Sequence, residues 1–484
     1  MAVSSPVEDA GTRARSHPGF LRALFRALDE MGILYCVLPA KDGVFGRGQS
    51  STTPLAFSPG DKKKLPSVFQ ALDDSGYWPV QCIRHSADRY LFNFLWLDAD
   101  VVDCAILELC FGQRAGGRRV LSGEALVKDR QKRGTFWTAS PAAEFTWLLA
   151  VKAAKGGVSA LEAERLRALT QQLHREEADR LAEGLFGPSW GWKAVQACRN
   201  DFIQVLLPSL RRRLWISNLT RHPLQVLRCS IQEGLRLATS LWQPSGVFVV
   251  LLGPDGSGKT TVAKFLSQAL RPVFARHRLY HWRPGLLGRS KSDEVVTEPH
   301  RSPPRGRVAS ALYLFGFFLD NVLGFCFLIR PFLVRSGLVI FDRYFPDVLV
   351  DSRRYRYGGP VWLARLLAQL VRPREKLVLV LDASEANIIS RKAELSLGEI
   401  RRQRDAYYRL PRSNSADTRF LVTDHGLQPA QKQVLEAAVA YLRGRFCRQH
   451  GSWLFGDPMP MDAPKPTPVD RCSPKFSKVV PERK

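Results

Sequence analysis

An eight-residue glycine-rich loop constrains the fold of this chain more than any other feature. Gly253–Thr260 is Gly-Pro-Asp-Gly-Ser-Gly-Lys-Thr, which matches the pattern G-x-x-x-x-G-K-[ST] at every fixed position. The apolar run Val247–Leu252 precedes the loop and predicts a buried parallel strand. Apolar residues at helical spacing follow it, namely Val262, Phe265, Leu266, Ala269 and Leu270. Strand, loop and helix together indicate a phosphate-binding loop, and an ordinary glycine-rich turn is the alternative.

Each residue type in this loop has a chemical use. Glycines let successive backbone N–H groups face a phosphate, and the helix N-terminus adds a partial positive charge. We expect Lys259 to contact the β- and γ-phosphates of ATP and the Thr260 hydroxyl to hold Mg²⁺. The predicted nucleotide-binding residues are Gly253, Pro254, Asp255, Gly256, Ser257, Gly258, Lys259, Thr260 and Thr261.

The composition predicts a basic protein of several domains. At 484 residues the chain exceeds the size at which single hydrophobic cores stop growing, so we expect two or more domains. It carries 71 Lys and Arg against 45 Asp and Glu, a formal charge of +26, which favours anionic partners. The charges are spread along the chain without the blocks that mark nucleic-acid arms, and the excess of arginine is equally typical of a GC-rich genome.

The cysteines and the N-terminus favour a cytoplasmic protein. Nine cysteines without a C-x-x-C pair or a Cys/His cluster are typical of reduced, mostly buried residues, and not of a disulfide framework or a zinc site. The first residues show no basic segment followed by an apolar one, so we predict no signal peptide.

The chain divides into three predicted parts. Residues 1–235 show an α+β pattern that ends in a helical, arginine-rich connector, Ser209–Leu241. Residues 244–447 form the predicted P-loop domain. Residues 450–484 are rich in proline and basic residues and are predicted to be disordered, because they have little apolar surface to bury.

Residues 308–329 are almost wholly apolar and long enough to span a bilayer. Asp320 and Asn321 lie at the middle of this segment, where a charge in a membrane is most costly. A P-loop fold needs a helix at this point of the chain. We therefore predict a core helix that is buried on nearly all sides, with membrane contact as the alternative and with Asp320 facing the active cleft.

The P-loop domain is predicted to be α/β, with a parallel sheet and helices on both faces. Its five predicted strands alternate with helical patterns and are Val247–Leu252, Leu279–Trp282, Leu338–Phe341, Leu377–Leu381 and Phe420–Thr423. Ligands of such sheets bind outside the carboxyl ends of the strands, so the residues that follow each strand are the candidate site.

Charged residues follow three of these strands. Arg283-Pro284-Gly285 comes after the second strand and Asp342-Arg343-Tyr344 after the third. Asp342 is placed to hold a magnesium-bound water, and Arg343 to clamp an acceptor phosphate with two hydrogen bonds. The alternative for Arg343 is an ion pair with Asp347 or Asp351. Asp382 follows the fourth strand.

This order of motifs resembles thymidylate kinase over residues 244–447. The resemblance implies that Asp255 contacts the nucleoside sugar and that Arg343 binds the acceptor phosphate. It implies that Arg283 contacts the monophosphate and base, although one residue of that family's element is missing here. Tyr344 completes the Asp-Arg-Tyr motif and is predicted to bind substrate. The large N-terminal extension and an insertion before Asp-Arg-Tyr depart from the family, so phosphotransfer is better supported than thymidylate as acceptor.

The resemblance also implies that a lid supplies the catalytic arginine, because the phosphate loop of this chain contains no basic residue besides its lysine. In the resembling family such a lid follows the fourth strand. The alternative is a solvated helix face whose acidic partners are Glu394 and Glu399. Charged residues of the segment include Arg391, Lys392, Glu394, Arg401, Arg402 and Arg404, of which the arginines are the catalytic candidates.

The N-terminal region faintly resembles the nucleotidyltransferase fold. Ser50–Leu55 stands where that fold carries an Asp-x-Asp metal pair, so the pair is absent. Asp103 is either a surviving third acid or an exposed strand residue, and one carboxylate does not hold two metals. We predict an inactive recognition domain.

The sequence thus favours an ATP-dependent phosphotransferase that acts on a nucleoside monophosphate or another phosphorylated acceptor. The alternative is a P-loop ATPase or nucleotide-gated switch that binds nucleic acid or an anionic surface through its +26 charge. An acceptor-binding arginine favours the first, because a switch has no use for an acceptor site. The acceptor and the oligomeric state, including a homodimer, stay open.

Overall fold

The computed structural model describes residues 18–39, 52–98, 101–287, 303–371, 376–391, 396–410, 416–424 and 426–455. Residues 450–455, which were predicted to belong to the disordered tail, are the end of a helix, so that part of the prediction is wrong. The tail beyond residue 455, together with Lys392, Glu394 and Ser50, lies outside these ranges. The eight cysteines within them are free, and five of them are buried. No group of three or more His, Cys, Asp or Glu side chains in these ranges is placed to hold a metal ion.

The N-terminal part contains nine strands, nine α-helices and one 3-10 helix (Pro59–Lys64) within the described ranges. The strands are β1 (Tyr35–Val37), β2 (Thr52–Phe57), β3 (Trp78–Ser86), β4 (Arg89–Asp98), β5 (Val101–Cys110), β6 (Gly112–Ala115), β7 (Arg118–Ser122), β8 (Gln131–Arg133) and β9 (Phe136–Thr138). The helices are α1 (Pro18–Glu30), α2 (Leu65–Asp74), α3 (Gly123–Val127), α4 (Pro141–Lys155), α5 (Ala160–Gln172), α6 (Arg175–Phe186), α7 (Pro188–Arg199), α8 (Ile203–Arg221) and α9 (Pro223–Trp242).

A seven-stranded mixed sheet organises this part, in the order β3-β4-β5-β2-β1-β9-β8. Helices α4 to α8 pack into a separate apolar core that includes Leu148, Leu166 and Leu210. The sequence analysis did not identify α4 to α7. The predicted connector is two helices, α8 and α9, and α9 leads directly into the first strand of the C-terminal sheet.

The C-terminal part is the predicted parallel sheet with helices. Its strands are β10 (Val247–Leu252), β11 (His277–His281), β12 (Leu338–Asp342), β13 (Lys376–Asp382) and β14 (Ala416–Val422). Its helices are α10 (Lys259–Ala269), α11 (Arg307–Gly324), α12 (Arg330–Val334), α13 (Asp347–Val350), α14 (Val361–Leu370), α15 (Glu385–Arg391), α16 (Leu397–Tyr408) and α17 (Leu427–Phe455). The order is β11-β12-β10-β13-β14, and all neighbouring strands pair in parallel. The predicted fold class is confirmed.

The alternating side chains of β10 build two cores, one on each face of this sheet. Val249 and Leu251 belong to a cluster that includes Val262 and Leu266 of α10. Phe248, Val250 and Leu252 belong to a second cluster with residues of α11, α14 and α16. Helices therefore cover both faces, and the carboxyl end of the central strand opens at the point where the strand order reverses.

The two parts of the chain share apolar contacts. Val80 and Leu95 of the N-terminal sheet lie in the same cluster as Leu266 of α10. The ring of Phe446 in α17 contacts Phe92 of β4, with a centroid distance of 6.2 Å. The last helix of the P-loop part thus packs on the N-terminal sheet.

The long apolar segment is a helix that is buried on one face only. Residues 307–334 form one continuous helix, α11 and α12, joined by a π-helical turn at Phe325–Ile329. Leu314 and Phe317 pack in the core, whereas Val308 and Leu312 on the opposite face are exposed. The expectation of burial on nearly all sides is therefore wrong, because the sheet and α14 cover a single face. The helix is also long and apolar enough to cross a bilayer, since its most apolar 18-residue stretch has a mean hydropathy of 2.0. One third of that stretch is buried inside the protein.

Substitutions on the two faces of α11 should differ strongly in their effect on stability. Phe317 is 3% exposed and stacks on Phe345 at a centroid distance of 5.0 Å, whereas Leu312 is 69% exposed. We expect Phe317→Ala to lower the free energy of unfolding by about 3–5 kcal/mol. Leu312→Ala, the matched control on the exposed face, should change it by less than about 0.5 kcal/mol. Urea unfolding of both variants measures the difference, and equal losses would mean that α11 packs on both faces.

Candidate active site

The glycine loop between β10 and α10 has the backbone geometry of a phosphate cradle. Gly253, Gly256 and Gly258 adopt φ of 144°, 88° and 88°, a region that L side chains rarely adopt. A Cβ atom at Gly253 would clash with the carbonyl oxygen of Leu381 in β13. The loop is therefore tight because glycine occupies these positions, as the sequence pattern predicts.

Lys259 begins α10 and folds back over the loop. Its Nζ donates to the carbonyl oxygens of Gly253 and Pro254, at 2.9 and 2.7 Å, and lies 3.7 Å from Asp255 Oδ1. The side chain is buried, and burial together with the charge of Arg343 lowers its pKa to about 8. A phosphate oxygen would accept from Lys259 Nζ as these carbonyl oxygens do, and it would carry a negative charge that they do not have.

Thr260 and Asp342 meet at the carboxyl end of β12 and fit a magnesium ion. Thr260 Oγ1 donates to Asp342 Oδ2 at 2.6 Å, and the buried Asp342 Oδ1 accepts no hydrogen bond from the described residues. Burial would raise the pKa of Asp342, but His281, Lys259 and Thr260 outweigh it and lower the pKa to about 2. An ionised carboxylate with a free oxygen beside a hydroxyl is a donor set that Mg²⁺ prefers. His281, 3.6 Å from Asp342, was not predicted from the sequence.

The other predicted loop residues are divided between the interior and the surface. Ser257 is fully buried, and its Oγ has no hydrogen-bond partner in the described part of the chain. Its carbonyl oxygen accepts from Thr423 Oγ1 at 3.2 Å, which ties the loop to the end of β14. Thr261 is exposed on the first turn of α10. The loop thus rests on the neighbouring strands while its α10 end opens to solvent.

Arg343 lies beneath the loop in a buried ion-pair network. Its Nη1 donates to Asp347 Oδ2 at 2.6 Å, and its Nη2 donates to Asp255 Oδ1. Burial would lower the pKa of Arg343, but these carboxylates outweigh it and hold the pKa well above its usual value. The geometry thus contains the ion pair with Asp347 that the sequence offered as the alternative. Arg343 also adopts φ of 73°, and such strain in a non-glycine residue concentrates at functional sites.

Asp347 is the fixed end of this network. It is fully buried at the start of α13 and accepts hydrogen bonds from Tyr355 and Tyr407 as well as from Arg343. Burial and the charge of Asp347 raise the pKa of both tyrosines well above the usual value, so the hydroxyls stay protonated as donors. Three donors on one carboxylate hold Arg343 in place.

Asp255 and Arg354 form the other end of the network. Asp255 accepts from Arg354 Nη1 as well as from Arg343, so two guanidinium groups lie against the acidic residue of the phosphate loop. From the sequence, Arg354 was assigned no role. Its signal was a run of basic residues after the Asp-Arg-Tyr motif, Arg353-Arg354-Tyr355-Arg356.

Arg283 lies on a turn that Asp320 holds from below. Arg283 N donates to His281 O at 2.8 Å, and its side chain is half-buried. The buried carboxylate of Asp320 accepts from the backbone N–H groups of Gly285 and Leu287, at 3.1 and 2.8 Å. Asp320 was predicted to face the cleft, and the structure shows it bonded to the Arg-Pro-Gly turn at the cleft's edge.

Tyr344 does not lie at the site. Its side chain is 1% exposed, contacts Phe248 and Phe341 in the core, and donates to Val371 O at 3.0 Å. The prediction that Tyr344 binds substrate is therefore wrong for its side chain, because the residue after Arg343 turns back into the sheet's apolar face.

The lid arginines occupy different environments. Arg404 makes two bonds to Asp382, at 2.7 and 2.8 Å, Arg401 pairs with Glu385, and Arg402 with Glu399. Arg391 instead donates to Gly256 O of the phosphate loop at 3.4 Å and to Thr423 O at 3.1 Å. The pairing of Arg402 with Glu399 is the one expected if this segment is a solvated helix face. Arg391 is thus the lid arginine in direct contact with the loop.

Comparison with known proteins identifies a thymidylate kinase-like region in this chain. Thymidylate kinase of Xanthomonas campestris pv. campestris (strain B100) is 31% identical over 143 residues, which are 29% of this chain and 57% of the relative. Thymidylate kinase of Xylella fastidiosa (strain M12) is 30% identical over 151 residues, 30% of this chain and 61% of the relative. The chain therefore spans less than two thirds of these relatives' length. No protein-family model matches it.

Solved structures of thymidylate kinases are among its structural neighbours. That from Ehrlichia chaffeensis covers 40% of this chain and 100% of its own, at 20% identity and a TM-score of 0.31. That from Candida albicans covers 41% and 93%, at 15% identity and a TM-score of 0.31. The P-loop fold itself rests on the strand order and the loop geometry described above.

Proposed function

We propose that this chain is an ATP-dependent phosphotransferase of the cytoplasm that moves the γ-phosphate of ATP to a nucleoside monophosphate or another phosphorylated acceptor. One observation carries the proposal: two arginines, Arg343 and Arg354, lie against Asp255 of the phosphate loop. They add two cations beside the nucleotide site, where a second phosphate-bearing molecule would bind. The sequence likeness to thymidylate kinases supports the same chemistry.

The residues present would divide the work of phosphotransfer. Bound Mg²⁺ would neutralise charge that develops on the phosphate oxygens, and Thr260 and Asp342 would hold it. Lys259 would bind the nucleotide phosphates. An oxygen of the acceptor phosphate attacks the γ-phosphorus, the bond to the bridging oxygen breaks, and ADP leaves. Arg343 and Arg354 would orient the acceptor, and Arg391 would supply positive charge from the lid.

A P-loop ATPase or switch is the second candidate function. Both arms of Arg343 engage carboxylates, which is the arrangement expected if the arginine only stabilises the fold. The net charge of +26 would then serve to bind nucleic acid or an anionic surface. The two functions differ in whether ADP release needs an acceptor.

A screen for acceptor-dependent ADP release tests the proposal. Nucleoside monophosphates and phosphorylated sugars are each added to the full chain with ATP and Mg²⁺. We expect at least one of them to raise the rate of ADP release by about tenfold or more over the rate without acceptor. ADP release that is equally fast with and without every compound would replace the proposal by the ATPase function.

A further inference from the structure

A basic cavity lies between the N-terminal sheet and helix α9, away from the phosphate loop. Its volume is 370 Å³. It is lined by residues of the β3–β4 hairpin, the β6–β7 hairpin, Lys62 and the middle of α9. The cations that line it are Lys62, Arg84, Arg114, Arg119 and Arg236.

Positive charge in this cavity exceeds the negative charge that faces it. Asp88 is buried and accepts from both Arg114 and Arg119. Glu233 of α9 pairs with Arg236 at 2.6 Å. The residues that line the cavity thus include five cations and one carboxylate, Asp88, with Glu233 beside it, and a site with such a surplus of positive charge attracts anions.

Two of the cations lie over one aromatic ring. The guanidinium of Arg84 is 5.5 Å and the ammonium of Lys62 is 5.7 Å from the ring centroid of Tyr90. Arg84 has no carboxylate partner in the described part of the chain. Burial and the charge of Arg84 lower the pKa of Lys62. The two cations therefore repel each other, and an anion between them would relieve that repulsion.

Arg114 contributes an unsatisfied donor. Its Nη1 is buried and has no hydrogen-bond partner among the described residues. The acid oxygen Glu233 Oε1 lies 3.7 Å away, which is an ion pair but too long for a hydrogen bond. Its other nitrogens engage Asp88 and Gln232. A buried N–H group without a hydrogen-bond partner destabilises the folded state, and a bound oxygen that accepts from it would remove that destabilisation.

We propose that this cavity binds the phosphate group of a ligand that is distinct from the nucleotide of the P-loop. Arginine forks match phosphate oxygens in geometry, and the donors converge from three elements of the fold. The inference is independent of the proposed phosphotransfer, since none of these residues contacts the glycine loop in the described structure.

Two sources of such a phosphate are compatible with the surroundings. One is a small phosphorylated molecule free in solution. The other is the headgroup of an acidic lipid, because the same face of α9 carries exposed apolar residues beside the cavity. Leu235 lines the cavity and is 63% exposed. The other exposed apolar residues of this stripe, at helical spacing, are Leu224, Leu227, Ile231 and Trp242.

Anion binding by matched charge-reversal variants tests the proposal. Arg84→Glu alters an exposed arginine of the cavity, and Arg167→Glu alters an exposed arginine of α5 with the same change in charge. Inorganic pyrophosphate is titrated calorimetrically into each full-length variant without Mg²⁺, in a background that carries Lys259→Ala to remove the P-loop site. Sedimentation with phosphatidylcholine vesicles, with and without phosphatidic acid, tests the lipid source. Arg84→Ala serves as the milder variant if charge reversal disturbs the fold.

We expect Arg84→Glu to weaken binding by about tenfold or more, and Arg167→Glu to leave it unchanged. If the loss concerns pyrophosphate, the ligand is a free phosphorylated molecule. If pyrophosphate does not bind and the loss concerns vesicles with phosphatidic acid, the ligand is a lipid headgroup. Equal behaviour of Arg84→Glu and Arg167→Glu towards both probes would overturn the proposal.

Discussion

Lys259→Ala is expected to abolish ATP-dependent turnover while the protein remains folded. The substitution removes the buried ammonium group that lies over the loop carbonyl oxygens, and with it the cation expected on the β- and γ-phosphates. Loss of a preorganised donor of this kind lowers kcat by about 10² or more. ADP release with a saturating acceptor measures the effect.

The fold should survive this substitution for an electrostatic reason. Burial lowers the pKa of Lys259 from its usual value to about 8, so the folded chain binds this proton less tightly than the unfolded chain does. The charged lysine therefore opposes folding below pH 8, and its contribution to stability improves as pH rises from about 8 towards the usual lysine pKa. Removing the charge relieves that opposition, which offsets the two carbonyl oxygens left without a donor.

A control variant and a pH profile make this result specific. Lys264→Ala removes an exposed lysine from the same helix and should leave turnover unchanged. In the wild type, kcat/KM should fall as pH rises through about 8, because the free enzyme then loses the proton of Lys259. Unchanged ADP release by Lys259→Ala would rule out the phosphotransferase function.

Local sequence patterns were sufficient to predict the phosphate loop and the sheet. A match at the fixed positions Gly253, Gly258, Lys259 and Thr260 specifies both backbone angles and side-chain chemistry, so the loop geometry follows from the residues. Buried parallel strands are continuous apolar runs, which made β10, β12 and β13 identifiable. The meeting of Thr260 with Asp342 follows from their positions at the ends of neighbouring elements.

Features that depend on distant partners were not predictable in this way. An apolar run such as residues 308–329 does not reveal how many of its faces are covered, and the structure covers one. The side-chain direction of Tyr344 depends on the turn that follows Arg343. Arg354 reaches Asp255 across 99 positions of sequence, a contact that no local pattern specifies.

Arg343→Lys is expected to show whether Arg343 binds the acceptor phosphate or only stabilises the fold through its ion pairs with Asp347 and Asp255. Lysine keeps the charge but loses the fork that donates to Asp347 and Asp255. If Arg343 clamps the acceptor phosphate, kcat/KM for the acceptor falls about 30- to 150-fold, which corresponds to a loss of about 2–3 kcal/mol of transition-state stabilisation. The affinity for ATP should barely change. Steady-state kinetics with the acceptor varied, and ATP binding measured separately, give both quantities. Acceptor turnover and ATP binding near wild type would mean that the acceptor site lies elsewhere.

Asp347→Asn is the matched variant, because it breaks the same ion pair from the side that faces away from the phosphate loop. The asparagine amide has one acceptor oxygen for the three donors that Asp347 satisfies, and it leaves Arg343 buried without that counter-charge. Breaking a buried pair in this way costs about 3–5 kcal/mol of stability, measured by thermal or urea unfolding. A structural role for Arg343 requires that both variants lose activity only in proportion to stability. An acceptor clamp requires a larger loss of acceptor kcat/KM in Arg343→Lys than in Asp347→Asn, because Asp347→Asn keeps the guanidinium fork and removes only one of the carboxylates that hold it. Losses of acceptor turnover that follow the loss of stability in both variants would show that Arg343 acts through the fold, and the likeness to thymidylate kinases would then concern the fold and not the acceptor site.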